Sequence, residues 1–238
     1  MADGNIHSGH RQRLRSRAAA DPALETFSEH EILELLLFYS IPRADTNVIA
    51  HRLIAKFGNL RGVFEASMEE LASVEGVGES SALLLSVIPS VTRKYLLSRS
   101  VRNVRLTDTS LLGEVLMPYF VGRREEVLYI LFLDKNKRTI SCDFICEGNP
   151  GAVTVNSAKL TRLAKARQAS FAVVAHNHTG GFANPSEQDY ITTRKLIALL
   201  SQAGVILLDH LIISDPLGDS DAICDYVSLA ESGMFSRE

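Results

Sequence analysis

Apolar positions follow two different rhythms along this chain, and the rhythm changes about midway. In the first hundred residues they recur at intervals of three and four, the period of helices with one buried face. Such a pattern runs from Ser28 to Tyr39, which Ser28 or Glu29 can open, and again from Asp45 to Phe57, with Gly58 as the stop. Ser67-Met-Glu-Glu70 has the form of a capping box and predicts a third helix. Gly76-Val77-Gly78 then separates two short helical segments, and a helix from Leu83 to Leu97, with Pro89 as a place to kink, closes the region.

After a polar, basic connector at 98–105, an amphipathic helix is expected from Thr107 or Asp108 to Phe120. Val127–Leu133 is a continuous apolar run of strand length and predicts a buried central strand. Asp134-Lys-Asn-Lys137 supplies a turn and Thr139–Cys146 the antiparallel return. Asn156 can cap a helix reaching Ala169. A strand at Phe171–Ala175, a helix from Glu187 to Ala203 stopped by Gly204, and a strand at Val205–Ile213 complete the reading. The expectation is an α+β protein, with an all-α domain over 1–105 and a second domain over 106–238 in which helices pack on a mixed sheet.

Composition narrows the function classes. With 46% hydrophobic residues among 238, the chain can bury an ordinary core. A net charge of -3 argues against a protein whose main business is non-specific contact with phosphates. Cys142, Cys146 and Cys224 form no Cys-x-x-Cys pair and no disulfide framework, so they are read as reduced thiols. The chain starts without a signal-peptide core, and no run approaches the roughly 20 apolar residues of a membrane span. These features predict a cytoplasmic protein with no membrane contact.

The candidate chemistry lies between His176 and Asp189. An extended chain repeats every two residues, so a strand over Phe171–Ala175 places the rings of His176 and His178 on one face. A loop rich in Gly, Asn and Pro then turns back, and the following helix returns Asp189 from its first turn. Ser186-Glu-Gln-Asp189 also fits a helix start, in which the serine accepts a backbone N–H and the acid reaches back. Two imidazoles and one carboxylate are the donor set of a catalytic zinc ion that keeps its fourth position for water.

His-x-His, seven residues, Ser, two residues, Asp is the spacing of the JAMM, or MPN-plus, metalloprotease motif. His-Asn-His, the later Pro-Ser, Leu208-Asp-His-Leu-Ile-Ile213, Gly9-His-Arg11, Glu34-Leu-Leu-Leu-Phe-Tyr39, Ile41-Pro-Arg43 and Asp45-Thr-Asn47 resemble the bacterial RadC family, over nearly the whole chain. The resemblance implies an N-terminal helix-hairpin-helix domain and a JAMM (MPN, cytidine-deaminase-like) domain. It also implies one Zn2+ held by His176, His178 and Asp189, and hydrolysis of a peptide or isopeptide bond in a protein or peptide substrate. By the same resemblance Glu126, just before Val127, is the general base, with Glu125 as the alternative, and Ser186 donates to the oxyanion. His210 is no ligand by motif; its place beside Asp209 allows a core role or a hydrogen bond to the site. Thr179-Gly-Gly-Phe-Ala183 replaces the family's usual Pro-Ser-Gly-Asp-Pro, which loosens the loop.

A second class, a DNA-associated protein in keeping with the family's historical DNA-repair label, rests on two features. Arg11, Arg13, Arg15 and Arg17 form a local basic patch suited to phosphate contact. Gly76-Val77-Gly78 looks like the turn of a helix-hairpin-helix, whose exposed N–H groups can hold a phosphate, although Glu79 puts a negative charge there.

Overall fold

Val127–Leu133 (β1) is buried at every position, and the sheet is built outward from it. The computed structural model describes residues 6–98, 103–106, 108–148, 157–179, 183–214 and 225–233. On one side of β1 lies Thr139–Glu147 (β2). On the other come Phe171–His178 (β3), Ile206–Ser214 (β4) and Asp225–Ser228 (β5), giving the order β2-β1-β3-β4-β5. Only β3 and β4 run parallel. A parallel pair needs a crossover, and the helix Glu187–Gln202 provides it.

Strand alternation divides the core between the two faces. Tyr129, Leu131, Val173, Ala175, Leu211 and Ile213 point to one face, where they pack against Leu112, Val115 and Leu116 of the helix Thr109–Leu116. Leu128, Ile130, Phe132, Ala172 and Val174 point to the other. There they meet Leu160 and Ala164 of the helix Ser157–Arg167 and Leu196 and Leu200 of Glu187–Gln202. His176 continues the row of Ala172 and Val174, so it faces the helix that begins at Glu187. That single consequence of strand geometry places the site.

The chain divides into two compact units, 1–92 and 93–238. In the first, Ile6–Ala20 (α1), Glu29–Leu37 (α2), Thr46–Phe57 (α3), Leu60–Glu65 (α4), Met68–Ala72 (α5) and the start of Glu79–Ser98 (α6) enclose Leu33, Leu37, Ile49, Leu53, Val63, Leu71 and Leu85. Their ends are chemically marked. The Asp45 carboxylate accepts the Asn47 N–H, Ser67 and Glu70 close a capping box, and Gly58 leaves α3 at φ 87°. Buried Glu34 accepts from Asn47 Nδ2 at 3.1 Å and lies 3.0 Å from His10 Nε2, joining α1, α2 and α3.

The structure departs from the sequence pattern in four places. α6 runs unbroken through Pro89, because a proline removes one helical hydrogen bond and need not end a helix held at both sides. α4 has six residues, too few to display a period, and depends on Asn59 accepting the Gly62 N–H. β5 is a four-residue edge strand. The helix expected to Phe120 ends at Leu116 and tightens into a 3-10 turn, Met117–Tyr119. Asn156 lies outside the described residues. No helix among the described residues is long and apolar enough to cross a membrane.

Candidate metal centre

Following the crossover order, β1 to β4 are as above, and the remaining helices are Thr109–Leu116 (α7), Ser157–Arg167 (α8) and Glu187–Gln202 (α9). The tip of β3 carries His176, fully buried, and His178, whose side chain is 18% exposed. Their Nε2 atoms are 3.0 Å apart. Asp189, from the first turn of α9, brings Oδ1 to 3.0 Å from His176 Nε2 and Oδ2 to 3.3 Å from His178 Nε2.

Two functions of Ser186 and Asp189 that looked like competitors are compatible here. The Asp189 N–H donates to Ser186 Oγ at 3.2 Å, while the Ser186 N–H and hydroxyl donate to Asp189 Oδ2 at 2.7 and 2.6 Å. The capping box therefore holds Oδ2, which also faces His178, and leaves Oδ1 turned to His176. Burial works to raise the Asp189 pKa, but the contacts with His176, His178 and Ser186 outweigh it and hold the carboxyl well below its usual range. The group is an anion held between two imidazoles and a serine.

The donor set fits a metal ion. These three residues are a group of His and Asp side chains able to hold one. Bonds of about 2.0–2.1 Å to zinc imply ligand atoms roughly 3.3 Å apart at the corners of a tetrahedron. The spacings of 3.0 and 3.3 Å are close to that.

Glu126 and Glu125 are separated by the ladder. Leu128 lies opposite His176 in the antiparallel pair β1/β3, so continuing the register by two residues sets Glu126 opposite His178. Glu126 is half-buried and Glu125 exposed. Asn177, between the two histidines, faces the other way and grips the chain on either side of Glu126. Its Oδ1 accepts the Val127 N–H at 2.8 Å and its amide donates to the Glu125 carbonyl at 3.2 Å. The Glu126 carbonyl accepts from the Gly148 N–H at 2.8 Å. Nothing in the sequence marked Asn177 for this clamp.

Other singled-out residues have ordinary partners. Arg11 donates to the carbonyls of Ile41, Pro42 and Ala44, Arg15 lies over Phe38 and Tyr39, and Arg17 pairs with Glu31 at 2.7 Å and covers Phe27. A Cβ on Gly76, at φ 94°, would come within 2.8 Å of Ile49, so that glycine is required by packing inside the helical unit. Cys142 and Cys146 are free thiols; Cys224 and the loop residues 180–182 lie outside the described residues.

A mixed sheet whose strand tip and crossover helix converge two histidines and an aspartate defines a JAB-type domain, and residues 106–234 match the family described as RadC-like JAB domain. The chain belongs to the RadC family, whose JAB domain is of the JAMM metallohydrolase type. It is 31% identical to a UPF0758 protein of Fusobacterium nucleatum, with 96% of this chain and 97% of that protein covered. UPF0758 proteins of Vibrio parahaemolyticus and Vibrio campbellii are each 32% identical over 88% of this chain and 90% of theirs. None of these names states an activity.

Proposed function

We propose that this protein is a zinc-dependent peptidase that hydrolyses a peptide or isopeptide bond in a protein or peptide substrate. The observation that carries the reading is the convergence of His176 Nε2, His178 Nε2 and the Asp189 carboxylate at 3.0–3.3 Å. Two imidazoles and one carboxylate suit a single Zn2+ and leave a position open. When bound, the ion supplies Lewis acidity, lowering the pKa of water to about 7 in known cases and polarising the scissile carbonyl.

The chain's own groups do the rest. Glu126 takes the proton of the attacking water and hands it to the leaving amine. Ser186 stands beside the ligand carboxylate, and its one hydroxyl proton, on Asp189 Oδ2 in this structure, turns to the oxyanion as that charge forms; loss of such a donor costs about 100- to 1000-fold in rate. Asn177 fixes the backbone on both sides of Glu126. Asn177→Ala is therefore expected to keep the metal and lower cleavage of a peptide library by about 10- to 100-fold, since small misplacements of a catalytic group cost that much.

Metal analysis of protein purified without chelators tests the central claim. About one zinc per chain is expected, and a chain free of metal after such purification overturns the reading. Cys142 and Cys146 as free thiols agree with a cytoplasmic setting. A DNA-associated role has less behind it, because Arg11, Arg15 and Arg17 are engaged within the helical unit and Gly76 is explained by Ile49. Duplex, single-stranded and branched DNA binding across a salt series decides that point: steep salt dependence supports DNA, flat weak binding removes it.

A further inference from the structure

Behind the metal ligands lies a chain of hydrogen bonds that crosses from α9 to β4 and back to β3. The Thr193 hydroxyl, one turn after Asp189, is 2.6 Å from the Asp189 carbonyl oxygen. The same hydroxyl oxygen is 2.6 Å from His210 Nδ1, and His210 Nε2 is 2.8 Å from His176 Nδ1. Thr193, His176 and His210 are each fully buried. We infer that Thr193 and His210 are positioning residues that keep a proton on His176 Nδ1, so that Nε2 is the ring nitrogen turned to the metal position.

The inference is a matter of counting protons. A carbonyl only accepts, so the single proton of the Thr193 hydroxyl goes to the Asp189 carbonyl. The Thr193 oxygen must then accept from His210, which puts the His210 proton on Nδ1. The His210 ring is fully buried, and burial disfavours its charged form, so its Nε2 is an acceptor. His176 Nδ1 is left as the donor. A His176 ring with no proton on Nδ1 needs His210 to donate from Nε2 and to accept at Nδ1. Thr193 would then have to turn its proton to His210 and hold its oxygen 2.6 Å from a carbonyl oxygen with no proton between them.

Backbone geometry aims His210 for this purpose. In β4, Leu207 packs on the α8/α9 face and Leu211 on the α7 face, although both are odd-numbered and a regular strand would keep them on one side. The register shows where alternation slips: Ala172 pairs with Leu207 and Val173 with Asp209, so Leu208 is an extra residue. That bulge turns His210, the partner of Val174, to the α9 face beside His176. Asp209, on the far side, is occupied by Ser228 Oγ and the Ala230 N–H at 2.7 and 3.0 Å and does not reach the rings.

This inference rests on the metal reading for its purpose, and its test keeps the two apart. Two-bond 1H–15N imidazole correlation of the metal-free, histidine-labelled protein reads the tautomer without any ion. A proton on His176 Nδ1 is expected in the native protein and in Thr193→Ser, and its partial loss in Thr193→Val; a proton drawn to Nε2 by Asp189 Oδ1, 3.0 Å away, does not enter the comparison. Zinc competition with a chromophoric chelator should then show affinity reduced by about 10- to 100-fold in Thr193→Val and restored in Thr193→Ser. A native His176 with no proton on Nδ1 overturns the inference, as does a folded Thr193→Val with native Nδ1 protonation and native zinc affinity. If Thr193→Val does not fold, the native and Thr193→Ser spectra still decide. A native protein with Nδ1–H on His176 that binds no zinc refutes the proposed function and leaves the tautomer assignment standing.

Discussion

His178→Ala is expected to release the metal while the fold survives. In the proposed site His178 is one of three protein ligands, offered from the last residue of β3, where its side chain is 18% exposed and belongs to neither face of the sheet's core. Structural zinc sites bind with roughly 10–16 kcal/mol shared over four ligands, so one lost imidazole should weaken affinity by about 100-fold or more. Metal content should fall from about one per chain to near zero after dialysis, and the thermal unfolding midpoint should stay close to native. His176→Ala differs, because that ring is fully buried and bonded to His210, so it should lose both metal and stability. Retention of stoichiometric zinc by His178→Ala would remove the ion from this cluster altogether.

Glu126→Gln should do the reverse, keeping the ion and losing turnover. Glutamine has nearly the shape of glutamate, so the half-buried position at the head of β1 and the Asn177 clamp are retained. It cannot take a proton from water at neutral pH. A positioned general base is worth about 100- to 10,000-fold, which sets the size of the expected loss. Glu125→Gln, at the exposed neighbour, should stay within a few-fold of native. Comparing the peptides released in a proteome by native and Glu126→Gln protein measures both the loss and the substrate class. Equal product from the two proteins, with zinc bound to each, would mean that another group takes the proton.

The parts of this molecule that depend on local rules were open to reading from the chain. Val127–Leu133 announces a central strand because both of its faces are covered, and the two-residue period alone puts His176 and His178 side by side. Ser186-x-x-Asp189 is legible as a helix start for the same reason, since a capping box spans a single turn. What sequence could not deliver was the division of labour within that box, with Oδ2 shared by the serine and His178 and Oδ1 toward His176. Other features depend on residues far apart in the chain. The aim of His210 depends on a bulge at Leu208, the hold on Glu126 on an asparagine some fifty residues later, and the fate of Arg11 on three carbonyls beyond α2. Periodicity and motif spacing are blind to all three.

The crossover helix packs through Leu196 and Leu200, and the strands through Leu128, Ile130, Phe132 and Val174, whereas the ligands project from the tips of these same elements. Architecture and chemistry thus draw on different residues. A zinc finger collapses when its ion is taken away; on the proposed zinc reading, a protein assembled like this one should keep its shape under a chelator and regain its chemistry when zinc returns. Cellular zinc supply would then act as a throttle on the catalyst without changing how much of it is present.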